Sequence, residues 1–585
     1  VVLGSGALRL TLPLALAVAA LVLLVVFSYI QTIMHYQQGG GAYMVSKDNL
    51  GRYSSLVAAA ALLSDYVLTV SVSVSAGVRA VTSALPEAYD YRVIIALGAI
   101  GFITWMNLRG ARESATVFAI PTYAFVGGVL LVILIGILRK LELLGVAPLP
   151  DLHGTIEAEK DLAGLAYIWL LLRAFAGGCT ALTGIEAISD GVQAFKPPES
   201  RNAASTMVAM GVIAMTLFIG IAFLATTMHL VPTEHGESIL SQITRQITGG
   251  GLLYYWVQVF TALILFLAAN TGFQDFPRLS SFLARDGFMP RWMQNRGDRL
   301  VFSSGILVLA AISSLIVIAF SANEIAMLPL YALGVMLGFT LSQAGMSRLM
   351  GKVGTLQPGQ SMDTDVTRIH YEPNWRKKRT INIVGATTTG LVFIILTATK
   401  FVDGAWIVAA AIPLLVFTFH RIHHHYDDVA EALTTEDFSE DDLDEIANLA
   451  IVPIGDIHKG TLLALQYAKR ISSDVRAVCI STTPQTRKRV EQRWARFPGL
   501  TQGVKLVIID YDYRDILTPL VDYIEQVNHD EFSDQVITIV IPEFVPTDQL
   551  SHLLHNQTAN ILRRQLRSQQ DIVIIDVPFH IAAAS

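Results

Sequence analysis

Residues 177–186 read Gly-Gly-Cys-Thr-Ala-Leu-Thr-Gly-Ile-Glu, and they interrupt an apolar segment that spans residues 162–195. A glycine-rich break frees backbone N–H and C=O groups at mid-membrane depth, where they are tolerated only inside protein or beside a cavity. Interrupted helices of this kind build the substrate and ion sites of secondary transporters. Close packing through small residues also explains the glycines, but not the presence of Arg173, Glu186 and Asp190. The break therefore predicts a polar site within a helical membrane protein.

The rest of the first 420 residues supports a membrane location. The chain of 585 residues is 52% apolar and 15% charged, against roughly 25% charged residues in a soluble domain. Segments long enough to cross about 30 Å of hydrocarbon can be identified from their apolar residues. The eleven predicted segments are residues 8–33, 56–80, 93–108, 116–138, 162–195, 203–230, 252–273, 301–320, 325–346, 381–399 and 405–420.

The loops between these segments predict the orientation of the protein. Alternate loops, beginning with the one after the first segment, carry 18 Lys and Arg residues, and the other loops carry 6. Because cytoplasmic loops hold the excess of basic residues, the C-terminal region is expected in the cytoplasm and Val1 outside. An outside start needs a signal peptide or a preceding helix, and residues 1–6 resemble the tail of a helix. We therefore expect a further helix upstream; the alternative is a genuine eleven-span protein.

A different pattern follows residue 425, so we expect a transporter-like domain at 1–425, an acidic linker at 426–446 and a cytoplasmic domain at 447–585. Short β-branched runs alternate with helical stretches such as 462–471 and 550–566, which is typical of a mainly parallel, doubly wound α/β sheet. The runs are residues 449–454, 475–480, 504–509, 536–541 and 572–577. Residues 454–460 match neither the GxGxxG nor the Walker pattern, so a regulatory or dimerisation role is favoured over ATP hydrolysis.

Several function classes are disfavoured. A net charge of −6 offers no basic stripe for nucleic acid. The only cysteines, Cys179 and Cys479, lie too far apart in the sequence to suggest a disulfide framework or a Cys-based metal site. The histidines at 420 and 423–425 are more typical of headgroup-level polar residues than of a metal site. No nucleophile and base pair suggests an enzyme.

Further polar residues mark a site in the second segment. Tyr66, Thr69 and Ser73 recur at i, i+3 and i+7, so three hydroxyl groups share one helical face, and Asp65 lies beside them. Hydroxyl groups in such helices often only hydrogen-bond to backbone or to a neighbouring helix. Three together with a carboxylate favour a polar site, because ionisable groups at the bilayer centre are costly.

Two other motifs are weaker. Tyr331 places a phenolic hydroxyl in the apolar stretch 329–334, where a tyrosine is more often a core residue with a satisfied hydroxyl. Residues 38–43 read Gln-Gly-Gly-Gly-Ala-Tyr, and the three glycines permit unusual backbone angles at a gate or hinge.

Together these motifs resemble the amino acid/polyamine/organocation (APC) superfamily, and in particular its KUP-type potassium importers of the KimA kind. The resemblance extends over nearly the whole chain. The stretches that carry it are residues 38–43, 65–70, 181–188, 268–273, 283–286, 296–299 and 329–332.

The resemblance implies a LeuT-like inverted repeat of twelve helices, homodimerisation through the cytoplasmic domains, and import of K⁺ with H⁺. The family's ion-site residues correspond here to Tyr66, Thr69, Ser73, Thr183, Glu186 and Tyr331. The family's first helix adds an Asp and a Tyr to the potassium path, and both are expected upstream of Val1, in the helix that we expect to precede this sequence. Gln37 stands where the family usually has Pro. Relatives are inhibited by cyclic di-AMP, which makes that nucleotide a possible regulator.

The chemistry of these residues suits a dehydrated K⁺ ion, which takes oxygen ligands. Thr69, Ser73, Thr183 and backbone carbonyls near Gly178 are candidate ligands. Glu186 is the first candidate for the proton carrier, and Asp65 is the second. Two alternatives remain open: an amino acid or polyamine permease of the same superfamily, and a membrane sensor that binds a nucleotide without transporting.

Overall fold

A computed structural model describes residues 10–110, 115–142, 149, 164–230, 237–295, 301–435, 447–511, 515–531, 535–546, 557–567, 569 and 571–581. Contacts divide the chain into two compact units, Val1–Leu433 and Thr434–Ser585. The motif at 296–299 and most of the predicted linker, residues 436–446, lie outside the described residues.

The described part of the first unit is helical, with one short antiparallel hairpin of β1 (Ser361–Asp363) and β2 (Arg368–His370). Its helices are α1 (Thr11–His35), α2 (Gly41–Leu50), α3 (Arg52–Ala84), α4 (Arg92–Leu108), α5 (Ala115–Lys140), α6 (Leu165–Gly178), α7 (Ile185–Asp190), α8 (Glu199–Thr227), α9 (Ile239–Thr248), α10 (Leu252–Arg285), α11 (Ser303–Ala319), α12 (Glu324–Val353), α13 (Trp375–Lys400) and α14 (Trp406–Leu433).

All eleven predicted apolar segments correspond to helical stretches. Within the described ranges, nine stretches are long and apolar enough to cross a membrane. One of the nine contains both α13 and α14, which a π-helical turn at Phe401–Ala405 separates. The segment predicted at 301–320 is the shorter apolar helix α11. The eleven predicted segments therefore become nine long stretches, because α13 and α14 are counted together and α11 is too short to be counted.

Several helices extend beyond the predicted apolar segments. The apolar pattern predicted 56–80 and 252–273, whereas α3 and α10 continue to Ala84 and Arg285. Helical hydrogen bonding does not stop where apolar side chains stop, because polar side chains also suit a helix that packs against protein. Asp275 and Ser280 in the extension of α10 are buried, with 8% and 0% exposure.

The helices of the first unit separate a protein-facing interior from an apolar exterior. Large apolar side chains such as Ile94, Phe102, Tyr123 and Leu315 are at least half exposed. Apolar surface of this extent faces lipid or a partner rather than water. By contrast, α3 is buried along most of its length against α10, α11, α12 and α14.

The second unit contains a five-stranded parallel sheet, which confirms the predicted parallel fold, and its strand order is β5-β4-β3-β6-β7. Apolar clusters cover both faces of the sheet, which is the arrangement of a doubly wound fold. Its strands are β3 (Asn448–Pro453), β4 (Asp474–Ser481), β5 (Val504–Asp510), β6 (Val536–Pro546) and β7 (Ile572–Ile581). Its helices are α15 (Lys459–Ile471), α16 (Pro484–Trp494), α17 (Pro498–Thr501), α18 (Thr518–Asp530) and α19 (Gln557–Leu566).

Close packing of α10 on α3 depends on Gly272. A Cβ atom at this position would lie 2.8 Å from Val70 Cγ2 and 3.0 Å from the backbone oxygen of Tyr66. Nothing lies within 4 Å of the corresponding position at Gly98, on the exposed face of α4.

We expect Gly272→Ala to lower the melting temperature of the purified protein and Gly98→Ala to leave it equal or higher. Alanine favours a helix interior by about 1 kcal/mol over glycine, whereas overpacking costs about 1–3 kcal/mol. Thermal unfolding in detergent measures both variants. Equal shifts in the two would contradict the close approach of α10 to α3.

Candidate functional site

The predicted break in the fifth segment is confirmed. Helix α6 ends at Gly178, a 3-10 turn occupies Cys179–Leu182, and α7 starts at Ile185. Between them Thr183 is extended, with ψ 147°, and Gly184 has φ +86°. The Thr183 hydroxyl donates to the Thr180 carbonyl at 3.0 Å, which satisfies part of the backbone that the break exposes. The break thus places the Thr183 side chain at an irregular turn between two helices.

Three hydroxyl groups from three elements meet at this break. Thr69 on α3 donates to the Tyr331 hydroxyl on α12 at 3.2 Å, and Thr183 lies near the same hydroxyl group. Tyr331 is buried, and the two threonines are half-buried. Each hydroxyl offers one proton and two lone pairs, so lone pairs remain after these bonds are made. The cluster can therefore coordinate a cation.

Three other predicted ligands are placed differently. Ser73 lies half-buried one turn beyond Thr69 and, among the described residues, makes none of these hydroxyl contacts. Gly178 packs against α1, where an added Cβ atom would lie 3.0 Å from Val18 Cγ2. Tyr66 donates instead to Asp190 Oδ2 at 2.6 Å. Their roles as ligands stay predictions.

The two predicted proton carriers adjoin each other. Asp65 and Glu186 are 1% and 5% exposed, and their carboxyl groups lie near each other inside the protein. Glu186 Oε1 accepts from the Gly184 backbone N–H at 3.3 Å. In the described part of the chain no donor reaches Glu186 Oε2 or either oxygen of Asp65. Because ionised carboxylates only accept hydrogen bonds, this pair bonds only when it shares a proton.

The sequence did not reveal Asp275 and Arg278 of α10 as neighbours of the site. Arg278 Nη1 donates to the Asp190 backbone oxygen at 2.9 Å. Asp275 and Arg278 line a small cavity together with Asp190. Both residues follow the apolar stretch 252–273, so apolar length alone does not place them in a helix. A proline-containing but otherwise helix-compatible sequence after residue 273 was the available signal.

Arg173 and His423, which the sequence also singles out, form ion pairs with residues outside the hydroxyl cluster. Arg173 pairs with Asp403 of the π-helical turn. His423 stacks on Phe288 with ring centroids 4.4 Å apart and pairs with Asp427. Within the residues that the structure describes, no group of His, Cys, Asp and Glu is arranged to hold a metal ion.

The second unit has a cavity of about 340 Å³ at the carboxyl ends of β3, β4 and β6. His458 and Phe544 line it with their ring centroids 4.7 Å apart. Burial lowers the pKa of His458, which favours the uncharged imidazole. Ligands of parallel α/β sheets bind at this edge.

Comparisons with known proteins find a matching family model for each of the two units. The family model described as "Amino acid permease" matches residues 1–416, and the one described as "KimA potassium transporter C-terminal domain" matches residues 446–579. The chain is 38% identical over 580 residues to the potassium transporter KimA of Bacillus subtilis (strain 168), covering 99% of this chain and 91% of that protein.

We expect infrared spectra of the purified protein near neutral pH to contain the C=O band of a protonated carboxyl group that Glu186→Gln removes. The glutamine amide can donate to Asp65, so the shared proton is no longer needed. Asp403→Asn, at the exposed pair with Arg173, is the control and should leave the band unchanged. An unchanged band in Glu186→Gln would contradict a shared proton.

Proposed function

This chain belongs to the KimA-type potassium transporters, which carry an amino acid permease domain, and we propose that it imports K⁺ together with H⁺. The observation that carries the proposal is the meeting of Thr69, Tyr331 and Thr183 at a broken helix, beside the carboxyl pair of Asp65 and Glu186.

The hydroxyl cluster supports K⁺ as the substrate. A hard monovalent cation exchanges its hydration shell for neutral oxygen ligands. Thr69, Thr183 and Tyr331 provide three such oxygens, and Ser73, Tyr66 and the Gly178 carbonyl are the further ligands that we propose. No cationic side chain is among them, so nothing in this set repels the ion.

The carboxyl pair supports coupling to H⁺. Fully ionised, Asp65 and Glu186 carry two negative charges, which one K⁺ and one H⁺ neutralise together. Either cation alone leaves one charge in a medium of low dielectric constant, where a net charge is costly. The doubly loaded site is therefore the form that crosses the membrane barrier at the lowest electrostatic cost. Glu186 is the preferred carrier because it lies on the broken segment, next to Thr183.

The direction of transport and the topology are parts of the proposal. The excess of Lys and Arg in alternate loops supports a cytoplasmic location for the C-terminal unit. An inward proton gradient would then drive K⁺ into the cell. A homodimer formed through the C-terminal units is proposed from the family resemblance.

Regulation by cyclic di-AMP is a further part of the proposal. The cavity beside His458 and Phe544 has an apolar lining that includes Leu520, Ile541 and Leu562. Its volume lies within the roughly 300–1,000 Å³ typical of small-molecule sites. A purine base stacked on Phe544 would fit this chemistry.

The permease alternative requires a helix N-terminus that faces a substrate carboxylate and a larger cavity. The hydroxyl groups and acids described here suit a cation better than an amino acid carboxylate. The sensor alternative predicts ligand binding without ion flux.

For transport, we expect proteoliposomes with an inward pH gradient to accumulate rubidium, a K⁺ substitute. Glu186→Gln should reduce gradient-driven uptake by at least about tenfold, equivalent to 1.4 kcal/mol, because the pair can no longer bind and release its proton. Glu199→Gln, in the first turn of α8, is the matched control and should transport normally. Uptake by wild type that ignores the pH gradient would contradict proton coupling.

For regulation, we expect cyclic di-AMP to bind the full chain and Phe544→Ala to weaken binding by about tenfold or more, since base stacking on an aromatic ring is worth about 1–3 kcal/mol. Phe497→Ala, at a ring that is 41% exposed, should bind like wild type. Titration calorimetry measures all three. Absence of binding to wild type would exclude this nucleotide as the regulator.

A further inference from the structure

Asp190, the last residue of α7, is held in an unusual way. It is 4% exposed, and its Oδ2 atom accepts from the Tyr66 hydroxyl at 2.6 Å. Its backbone oxygen accepts from Arg278 Nη1 at 2.9 Å. Its Oδ1 atom is buried, and no donor within the described ranges reaches it. A buried carboxylate oxygen without a protein donor is costly, which makes Asp190 a candidate for a role beyond packing.

The glycine turn before α2 packs directly on Asp190. Gly39 and Gly41 have φ of +78° and +43°. A Cβ atom on Gly39 would overlap the Asp190 backbone oxygen, and one on Gly41 would overlap Asp190 Oδ1. Helix α2 begins at Gly41, so the carboxylate lies at the positive end of that helix. The turn therefore forms the surface against which Asp190 packs, here called its seat, and only glycine at positions 39 and 41 avoids a clash with that residue.

The surroundings of Asp190 have an incomplete charge balance. A cavity of about 10 Å³ is lined by Asp190, Asp275, Tyr66 and Arg278 among others. This is about the volume that a single water molecule needs. The two carboxyl groups face one guanidinium group, so one negative charge is left for a passing cation or a proton.

Tyr66 connects this cluster to the ion site. It follows Asp65 in α3 and lies one helical turn from Thr69, and its hydroxyl group is bonded to Asp190. Under the proposed orientation, α2 and the end of α7 lie toward the cytoplasm. A cation that leaves the hydroxyl cluster in that direction meets Asp190 next.

We propose that Asp190 is the positioning residue that closes the cytoplasmic end of the ion path, and that the glycine turn 39–41 is the seat it leaves when the path opens. This inference rests on the proposed transport function. A departing cation replaces the Tyr66 hydroxyl as the partner of the carboxylate. Asp190 then moves away from the turn, and the path widens beside Phe282 and Leu279, which line the cavity.

The test uses an additional cysteine at position 279, introduced as Leu279→Cys, in the full chain. Cys179 and Cys479 are both buried, which keeps background labelling low. Inside-out vesicles are treated with a small water-soluble maleimide. We expect Gly41→Ala to increase labelling by about tenfold, which corresponds to a shift of 1.4 kcal/mol toward the open form. Asp190→Asn, which keeps the shape of the side chain, should also increase it.

Gly51→Ala is the matched control. Gly51 ends α2 with φ +92°, but nothing lies within 4 Å of an added Cβ atom. The Gly51→Ala variant therefore introduces backbone strain, as Gly41→Ala does, but no contact with Asp190. Labelling of this variant should stay at the wild-type level. Equal labelling in wild type, Gly41→Ala and Asp190→Asn would overturn the proposal. An increase in Gly51→Ala as large as in Gly41→Ala would overturn it as well.

Labelling does not require transport, so the two proposals fail separately. Wild-type protein that moves no rubidium but shows the labelling pattern would refute the proposed function and leave the closing contact in place. Wild-type protein that moves rubidium while labelling never changes would refute the role of Asp190 alone.

Discussion

The placement of negative charge inside a membrane is the constraint on which the site depends. Asp65, Glu186, Asp190 and Asp275 are all at most 8% exposed, and Arg278 is the cationic side chain identified beside Asp190 and Asp275. Buried charges in such a medium must be protonated, paired or neutralised by a bound ion. We propose that a site built this way binds cations because its charge is unbalanced without them, which links the fold to the proposed transport of K⁺ and H⁺.

The fold brings the charges together through close backbone packing. Gly272 lets α10 approach α3, and Gly39 and Gly41 let the start of α2 approach the end of α7. The break after Gly178 turns Thr183 toward Tyr331 rather than continuing an apolar helix. Each of these positions has a small residue or an irregular backbone where a regular helix would keep the polar groups apart.

Much of this architecture follows from sequence patterns. Apolar length identified all eleven helical segments, because a helix that crosses the hydrocarbon must be apolar whether it faces lipid or protein. Alternating β-branched runs identified the parallel sheet, because its strands are buried on both faces. The glycine-rich break and the hydroxyl face of α3 identified Thr69 and Thr183. Sequence periodicity could not show that Tyr66 bonds to Asp190 rather than joining the hydroxyl cluster, since that depends on a contact between residues 124 positions apart. Arg278 and Asp275 were missed because burial of a polar helix end is a tertiary effect.

The most direct test of the cation site is to locate a heavy substitute for K⁺. Anomalous diffraction from crystals of the protein in thallium(I) should show a peak between the oxygens of Thr69, Thr183 and Tyr331, beside Asp65 and Glu186. The peak should be lost in the Thr69→Val variant, which keeps the side-chain shape but removes the oxygen. A strong peak elsewhere in the membrane unit, with none among these three hydroxyl groups, would contradict the account.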